Sequence, residues 1–392
     1  MLALAAESRA LPRSGVDVTL EAPARAWLGR SSAACMVVRN RGRVRVRVQA
    51  FQVLPPRWSG KVRLIDTEVP PRDAQSHEIA ATPLELGVGL WGATHVRTLG
   101  RFGLAWWEHR LDPMRTVEVV PDFRCERSGH LAGGAAGPAP ARVAGAGLEL
   151  IGLREYTPGD PLRTIDWKAS ARTGRPQVRI HREEQRLDLL LLLDCGRRSG
   201  LPAGEISRLN RYINAAARLA ESASALGDAV GILTFADRPL LRARPCAGMA
   251  GVRRVGAILG QTRTLEQETS FLPAVLAARH LLQNRALVVI LSDPGLGGQS
   301  EALADAVRVL VPRHLALIAG IADIDVQNIA RQKAVSWRDP FDTLAALELE
   351  RLREAVHRRA ERMGAVVVTA KPDLIDLRLR ERYATLRHRR RV

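Results

Sequence analysis

The chain has 392 residues, of which 46% are hydrophobic and 26% are charged, a globular composition that excludes a mostly disordered protein. Its length predicts two or three domains at about 100–200 residues each. The four cysteines, Cys35, Cys125, Cys195 and Cys246, are widely separated and form no CxxC pair. This spacing supports neither a cysteine zinc site nor a disulfide framework, and it favours a reducing compartment.

The formal net charge of +18 first suggests nucleic acid or an acidic membrane surface as a partner. Only Lys61, Lys168, Lys333 and Lys371 are lysines, so arginine supplies nearly all of the 59 basic residues. An arginine bias of this kind can come from a GC-rich coding sequence. The arginines are spread along the chain and aromatic residues make up only 4%, too few for an evident base-stacking platform. We therefore keep nucleic-acid binding only as an alternative.

Residues 1–125 have the pattern of short β-strands. Apolar residues alternate with polar ones at 16–20 and again at 44–48, where Val44, Val46 and Val48 would share one face. Proline and glycine clusters separate further short strands up to about residue 123. This pattern predicts a small antiparallel β-sandwich. Residues 126–147, rich in glycine, alanine and proline, are predicted to be a flexible linker.

Strands alternate with helices over residues 187–392. Strands are predicted at 187–193, 229–235, 286–291, 314–321 and 365–369, with helices at 206–226, 252–259, 272–282, 301–310 and 344–363. This alternation predicts an α/β domain with a doubly wound parallel sheet. Ligand sites of such sheets lie at the carboxyl ends of the strands, which here are Asp194, Asp237 and Ser292-Asp293.

Residues 148–186 contain a distinctive segment. Pro158-Gly159 suits a type II turn, and Asp160 followed by Pro161 predicts the start of a short helix over 162–171. That helix would direct Ile165 and Trp167 towards packing positions. The charges alternate in sign and predict ion pairs that brace the turn, with direct contact to a ligand or partner as the alternative; they are Arg154, Asp160, Arg163, Asp166 and Arg172.

This segment resembles the defining motif of the DUF58 family, G-x-R-x-Y-x-P-G-D-x-x-R-x-I-D-W-x-x-S-A-R. Every fixed position is matched, by Gly152, Arg154, Tyr156, Pro158, Gly159, Asp160, Arg163, Ile165, Asp166, Trp167, Ser170, Ala171 and Arg172. The resemblance implies a von Willebrand factor A-like fold for the α/β part. It also implies a MoxR-type AAA+ ATPase as partner, in the assembly or activation of other proteins.

A von Willebrand A-type metal site would use Asp-x-Ser-x-Ser after the first strand, then a threonine and a further aspartate. The matching positions here are Asp194, Gly196, Arg198, Thr269 and Asp293. Both serine hydroxyls are therefore missing, which indicates a degenerate site. Asp194, Thr269 and Asp293 remain as candidate Mg²⁺ ligands. The competing hypothesis is that Arg198 pairs with Asp194 or Asp293 as a built-in cation.

The sequence favours a non-enzymatic interaction protein. It has no Walker A motif, no GxGxxG and no spacing typical of a catalytic triad. A hydrolase that uses Asp194, Asp293, Asp160 and Asp166 is the weaker alternative. No apolar run approaches the roughly 20 residues of a membrane span, so the chain as it stands is expected to be cytoplasmic. Relatives often carry a transmembrane hairpin, so membrane anchoring is expected if the true start lies upstream. The basic residues at 387–391 would suit an anionic leaflet.

Overall fold

The computed structural model describes residues 15–61, 64–99, 103–112, 115–124, 144–145, 149–158, 160, 162, 165–182, 186–293 and 298–389. The chain divides into two compact units. The first contains Met1–Arg124 and Asp188–Leu386, and the second contains Cys125–Leu187 and Arg387–Val392. The predicted linker falls outside the described residues except at 144–145.

The N-terminal part of the first unit is built mainly from antiparallel strands, as predicted, although β2 and β11 pair in parallel. Two four-stranded sheets have the orders β1-β3-β7-β5 and β10-β9-β4-β6, and β2-β11-β8 forms a third. Alternate residues of β3, Ala34, Met36 and Val38, are buried in one core with Val48 and Val96 of the second sheet. The strands are β1 Val16–Glu21, β2 Arg25–Trp27, β3 Ser32–Asn40, β4 Val46–Gln52, β5 Trp58–Ser59, β6 Ile65–Val69, β7 Ala74–Pro83, β8 Gly87–Leu90, β9 Thr94–Leu99, β10 Trp106–Leu111 and β11 Thr116–Val120.

The second unit holds the signature segment. Its strands β12 Ala144–Gly145 and β13 Glu149–Glu155 both pair antiparallel with β14 Gln177–Arg182. Helix α1, Trp167–Thr173, precedes β14. The predicted helix over 162–171 was wrong in its start, because Asp166 and not Asp160 caps it by accepting from the amides of Lys168 and Ala169.

The C-terminal part of the first unit contains a six-stranded sheet of order β19-β18-β15-β20-β21-β22. Its strands are β15 Asp188–Asp194, β18 Ala229–Phe235, β19 Pro239–Ala247, β20 Ala286–Leu291, β21 Leu315–Ile321 and β22 Val366–Ala370, and a small hairpin of β16 Pro202–Ala203 and β17 Ile206–Ser207 lies outside it. The prediction of a wholly parallel sheet was wrong at the edge strand β19, which pairs antiparallel with β18. Only three residues separate these two strands, too few for the crossover that a parallel pair requires.

Helices cover this sheet. They are α2 Arg208–Ala225, α3 Gly248–Gln261, α4 Phe271–Leu281, α5 Gly298–Leu310, α6 Ile324–Arg331, α7 Asp339–Arg362 and α8 Ile375–Arg389. Leu190 and Leu192 of β15 share a core with residues of α4 and α5. Leu189 and Leu191 point to the opposite face and are also fully buried. Both faces are therefore covered, which explains the continuous apolar run of this strand.

Helix α2 fastens the N-terminal sheets to the α/β part through side chains spaced four residues apart. The Asn210 side chain donates to the carbonyl of Leu84 at 2.8 Å. One turn later, the Asn214 side chain donates to the carbonyl of Leu28 at 2.9 Å and accepts from the Asp122 amide at 3.0 Å. These bonds satisfy backbone groups at the interface of the two parts.

Arg218 continues this row by one more turn. Its guanidinium pairs with Asp122 at 2.7 Å and with Asp376 of α8 at 2.6 Å. The Asp122 side chain is completely buried. One arginine thus joins the end of the β part, α2 and the C-terminal helix.

Candidate functional site

Asp194 lies at the carboxyl end of the central strand β15 and is almost completely buried. Its carboxylate accepts from the Ser292 hydroxyl at 2.5 Å, the Thr269 hydroxyl at 2.8 Å and the Gly196 amide at 2.9 Å. The structure therefore brings the predicted residues Asp194, Gly196 and Thr269 together. Burial raises the pKa of Asp194 above its ordinary value. The hydrogen bonds from Ser292, Gly196 and Thr269 lower that pKa but do not cancel the rise.

A raised pKa of Asp194 in the folded state predicts a defined pH dependence. The folded protein holds the carboxyl proton of Asp194 more tightly than the unfolded chain does. The free energy of unfolding therefore falls as pH rises from the ordinary pKa of an aspartate to the raised pKa of Asp194. We expect Asp194→Asn to remove that fall, since an amide oxygen can still accept from Gly196 and Thr269. Denaturant unfolding of both proteins from pH 4 to 8 measures the difference.

Asp66 is a control, because its effect on the pH dependence of stability has the opposite sign. Its hydrogen bond from Arg47 lowers the pKa of Asp66 to about 2, so its contribution is present above the ordinary pKa and lost as pH falls. Asp66→Asn should therefore reduce stability slightly at neutral pH. A wild-type stability that does not fall relative to Asp194→Asn as pH rises would contradict the assignment for Asp194.

A second cluster of charges lies at the same edge of the sheet, where β20 and β21 end. Arg208, the first residue of α2, pairs with Asp293 and, at 2.9 Å, with Asp323. The Arg208 side chain is only 5% exposed. Arg353 of α7 lies 3.3 Å from Asp323 and 3.9 Å from Asp293. Two arginines thus balance two carboxylates.

The guanidinium beside Asp293 belongs to Arg208. The sequence-based hypothesis that Arg198 pairs with Asp293 was therefore wrong. Arg198 lies in the 3-10 turn Arg197–Gly200 that follows β15. Its positive charge acts on Asp194 at a distance and favours the ionised carboxylate. α2 starts after this turn and brings its own first residue to the strand ends.

The residues present do not fit a divalent cation held by Asp194, Thr269 and Asp293. The oxygens of Asp194 already accept three hydrogen bonds, and Asp293 faces a guanidinium. A β-carbon placed on Gly196 would overlap the Thr269 hydroxyl, so a serine ligand has no room there. Within the described part of the chain, no three His, Cys, Asp or Glu side chains converge to hold a metal ion.

In the signature segment, the predicted bracing contacts form between Arg154 and Asp160. The guanidinium donates to both carboxylate oxygens, at 2.7 and 2.5 Å, and the Thr157 amide adds a third bond at 3.0 Å. The Arg154 guanidinium holds the pKa of Asp160 well below its usual range. Asp160 therefore stabilises the turn at Pro158, whereas Gly159 and Arg163 lie outside the described residues.

The remaining signature residues lie in β13, in the turn after it, or in and just before α1. Ser170 donates to the carbonyl of Asp166 at 2.7 Å and accepts from the Gln177 amide at 2.8 Å, which ties the helix to β14. Ile165 is buried, as predicted. Trp167 is not, because the helix begins at this residue and leaves its indole 70% exposed. Gly152 lies in β13, Tyr156 is half-buried and Arg172 is exposed.

Cys195 gives no sign of a nucleophile. Its thiol is buried, and burial raises the pKa of Cys195 to about 12, so the reactive thiolate is suppressed at neutral pH.

A cavity of about 310 Å³ opens beside the charged cluster. It is lined by Asp293, Asp323, Arg353 and His357, among others. Burial lowers the pKa of His357, which favours its neutral form.

The start of α7 and the turn before it expose a row of apolar side chains. Trp337 is 74% exposed, Phe341 68% and Leu344 67%, with Val335 and Leu347 beside them. Phe341 and Leu344 lie three residues apart in α7 and share one helical face, and Trp337 lies in the turn before the helix. We call Val335, Trp337, Phe341, Leu344 and Leu347 the α7 apolar patch. Exposed apolar groups of this size mark interaction surfaces.

A family profile described as "Protein of unknown function DUF58" matches residues 152–371. The chain belongs to the DUF58 family. Uncharacterized proteins of Mycobacterium tuberculosis and Mycobacterium bovis are 25% identical to this DUF58 member over 253 residues, which cover 59% of this chain and 77% of theirs.

Two solved structures are distantly similar to this DUF58 member. The conserved hypothetical protein BatB from Bacteroides thetaiotaomicron is 14% identical, covers 50% of this chain and 98% of its own, and has a TM-score of 0.33. A CARDB domain from Pyrococcus furiosus is 12% identical, covers 27% of this chain and 94% of its own, and has a TM-score of 0.18. Both are too distant to define its fold. None of the helices that the structure describes is long and apolar enough to cross a bilayer.

The sequence reasoning missed Arg208, Asp323 and Arg353 of this DUF58 member. Asp323 lies two residues beyond the strand end at 321, as Asp293 does beyond β20, so the rule that led to Asp194 and Asp293 would also have found it. Arg208 gave a weaker signal, a positive charge at the first position of a helix, where the dipole disfavours it. Arg353 lies in the middle of α7, and no local pattern marks it.

Proposed function

We propose that this DUF58 protein is a non-enzymatic adaptor that acts with a MoxR-type AAA+ ATPase in the assembly or activation of other proteins. The α7 apolar patch is the observation that carries this proposal. A soluble surface keeps side chains such as Trp337 and Phe341 in water only at a free energy cost. Large aromatic side chains are also the groups that anchor protein–protein interfaces.

The charge around the patch is nearly balanced, in a chain whose net charge is +18. Residues 333–351 contain four acidic residues and three basic ones, Lys333, Arg338 and Arg351, and the Arg338 guanidinium lies over the Trp337 ring. A surface that binds nucleic acid or an anionic membrane would be strongly basic. The partner surface we expect is an apolar groove.

The resemblance of the signature segment supports the choice of partner and a von Willebrand A-like fold for the α/β part. Asp194, Thr269 and Asp293 occur in the order of that fold's metal-site residues. The contacts of Asp194 and Asp293 instead support a site used for structure. A catalytic role for the signature carboxylate Asp160 has little support, since Arg154 already engages it.

Replacing two patch residues should weaken association with the ATPase. We expect Phe341→Asp/Leu344→Asp to weaken binding at least about tenfold, because two buried anchors at an interface each contribute more than 1 kcal/mol. Co-purification and calorimetric titration with a MoxR-type AAA+ ATPase, in the presence of nucleotide, measure the loss.

Val88→Asp is the matched control, since Val88 is 76% exposed on the edge strand β8, away from α7 in the chain. It should bind as the wild type does. Equal binding by wild type and the double variant would contradict the proposal. The proposal would also be contradicted if the wild type bound no ATPase but associated with itself or with anionic vesicles, and the double variant lost that association.

A further inference from the structure

Arg208 occupies a place that its own helix does not favour. It is the first residue of α2, where the helix dipole opposes a cation. Its side chain is almost completely buried, and a buried guanidinium is tolerated only when carboxylates pair with it. The position of Arg208 is therefore set by its partners and not by helix formation.

Those partners come from two neighbouring parallel strands. Asp293 lies just beyond the end of β20, Asp323 lies just beyond the end of β21, and the two strands pair directly. The two terminal nitrogens of Arg208 are divided between them, one contacting Asp293 and the other Asp323. A divalent cation held by one or two carboxylates and water would bridge the same two groups.

We propose that Arg208 is a resident cation at this edge of the sheet and replaces a divalent metal ion between Asp293 and Asp323. Arg353 completes the balance, because its guanidinium lies against the same two carboxylates. Two positive and two negative groups leave no net charge to attract a metal ion. The strand ends thus keep their folded arrangement without metal, and this inference does not depend on the proposed adaptor function.

The test compares wild type, Arg208→Ala and Arg211→Ala by thermal unfolding in EDTA and in millimolar Mg²⁺ or Mn²⁺ at equal ionic strength. Arg211 lies on the same helix but pairs with the exposed Asp373, so Arg211→Ala is the matched control. We expect the midpoints of wild type and Arg211→Ala to be the same with and without metal. Arg208→Ala should unfold at a lower temperature in EDTA and recover part of the loss in Mg²⁺ or Mn²⁺.

Calorimetric titration with Mn²⁺ gives a second readout. Binding should be detected in Arg208→Ala and not in wild type. Micromolar binding by wild type, or an Arg208→Ala protein that folds but does not respond to either metal, would overturn the proposal.

A charge-balanced variant keeps the test decisive if Arg208→Ala does not fold. Arg208→Gln/Asp323→Asn removes one positive and one negative group together, and asparagine can still cap α6 as Asp323 does. We expect this variant to fold and to be insensitive to metal. If the balanced variant is no more stable than Arg208→Ala, Arg208 acts by filling space and not by its charge. That result would also overturn the proposal.

Discussion

Arg218→Met should lower the free energy of unfolding by about 3–5 kcal/mol, the usual cost of leaving a buried carboxylate without its partner. The substitution removes the guanidinium from Asp122, which is completely buried, and from Asp376 of α8. Arg30, the other cation near Asp122, lies 3.8 Å away and is 40% exposed, so it compensates poorly. Urea unfolding followed by tryptophan fluorescence measures the loss.

Arg211→Met is the control on the same helix. Its partner Asp373 is 77% exposed, so the ion pair contributes at most about 1 kcal/mol, and the hydrogen bond from Arg211 to the Ala203 carbonyl adds about 1 kcal/mol. Asp122→Asn/Arg218→Met should recover much of the stability lost in Arg218→Met, because it also removes the buried charge. Equal losses in Arg218→Met and Arg211→Met would show that Arg218 does not hold the two parts of the unit together.

Gly196→Ser should destabilise the protein by about 1–3 kcal/mol, as overpacking of a filled site does. Restoring the serine of a von Willebrand A-type motif at this position would place its β-carbon on the Thr269 hydroxyl. The backbone at Gly196 has φ −65° and ψ 169°, which any residue adopts, so the cost comes from lack of space alone. The hydrogen bond from Thr269 to Asp194 should be lost with it. Thermal unfolding with and without Mg²⁺ should show the loss and no rescue.

Two further variants separate the effect of the added β-carbon from the effect of the added hydroxyl. Gly196→Ala adds the β-carbon without the hydroxyl and should cost nearly as much. Gly260→Ala, near the end of α3, meets no atom within 4 Å and should be neutral or stabilising, since alanine favours helix more than glycine does. Stabilisation of Gly196→Ser by Mg²⁺ would contradict our account of this site.

Strong local patterns predicted most elements of the α/β part. The apolar run of β15 and the helical stripe that includes Leu209 and Ile213 are buried as their periodicities indicated. Asp194 and Asp293 were found because a strand end defines a position along the chain. Edge strand β19, the hairpin β16–β17 and helices α6 and α8 were not predicted. α6 has only eight residues, and the half-buried β19 has no regular alternation of burial.

The sequence by itself determined the family, the alternation of the main strands and helices in the α/β part, and the strand-end residues Asp194 and Asp293, because each depends on residues close together in the chain. The tertiary structure alone decided which cation meets those aspartates. Arg208 and Asp323 are 115 residues apart in sequence, and only the pairing of β20 with β21 and the path of α2 bring them into contact. The same holds for Arg218, whose buried partner Asp122 is 96 residues away, since a charge pair of this separation leaves no periodic trace in the sequence.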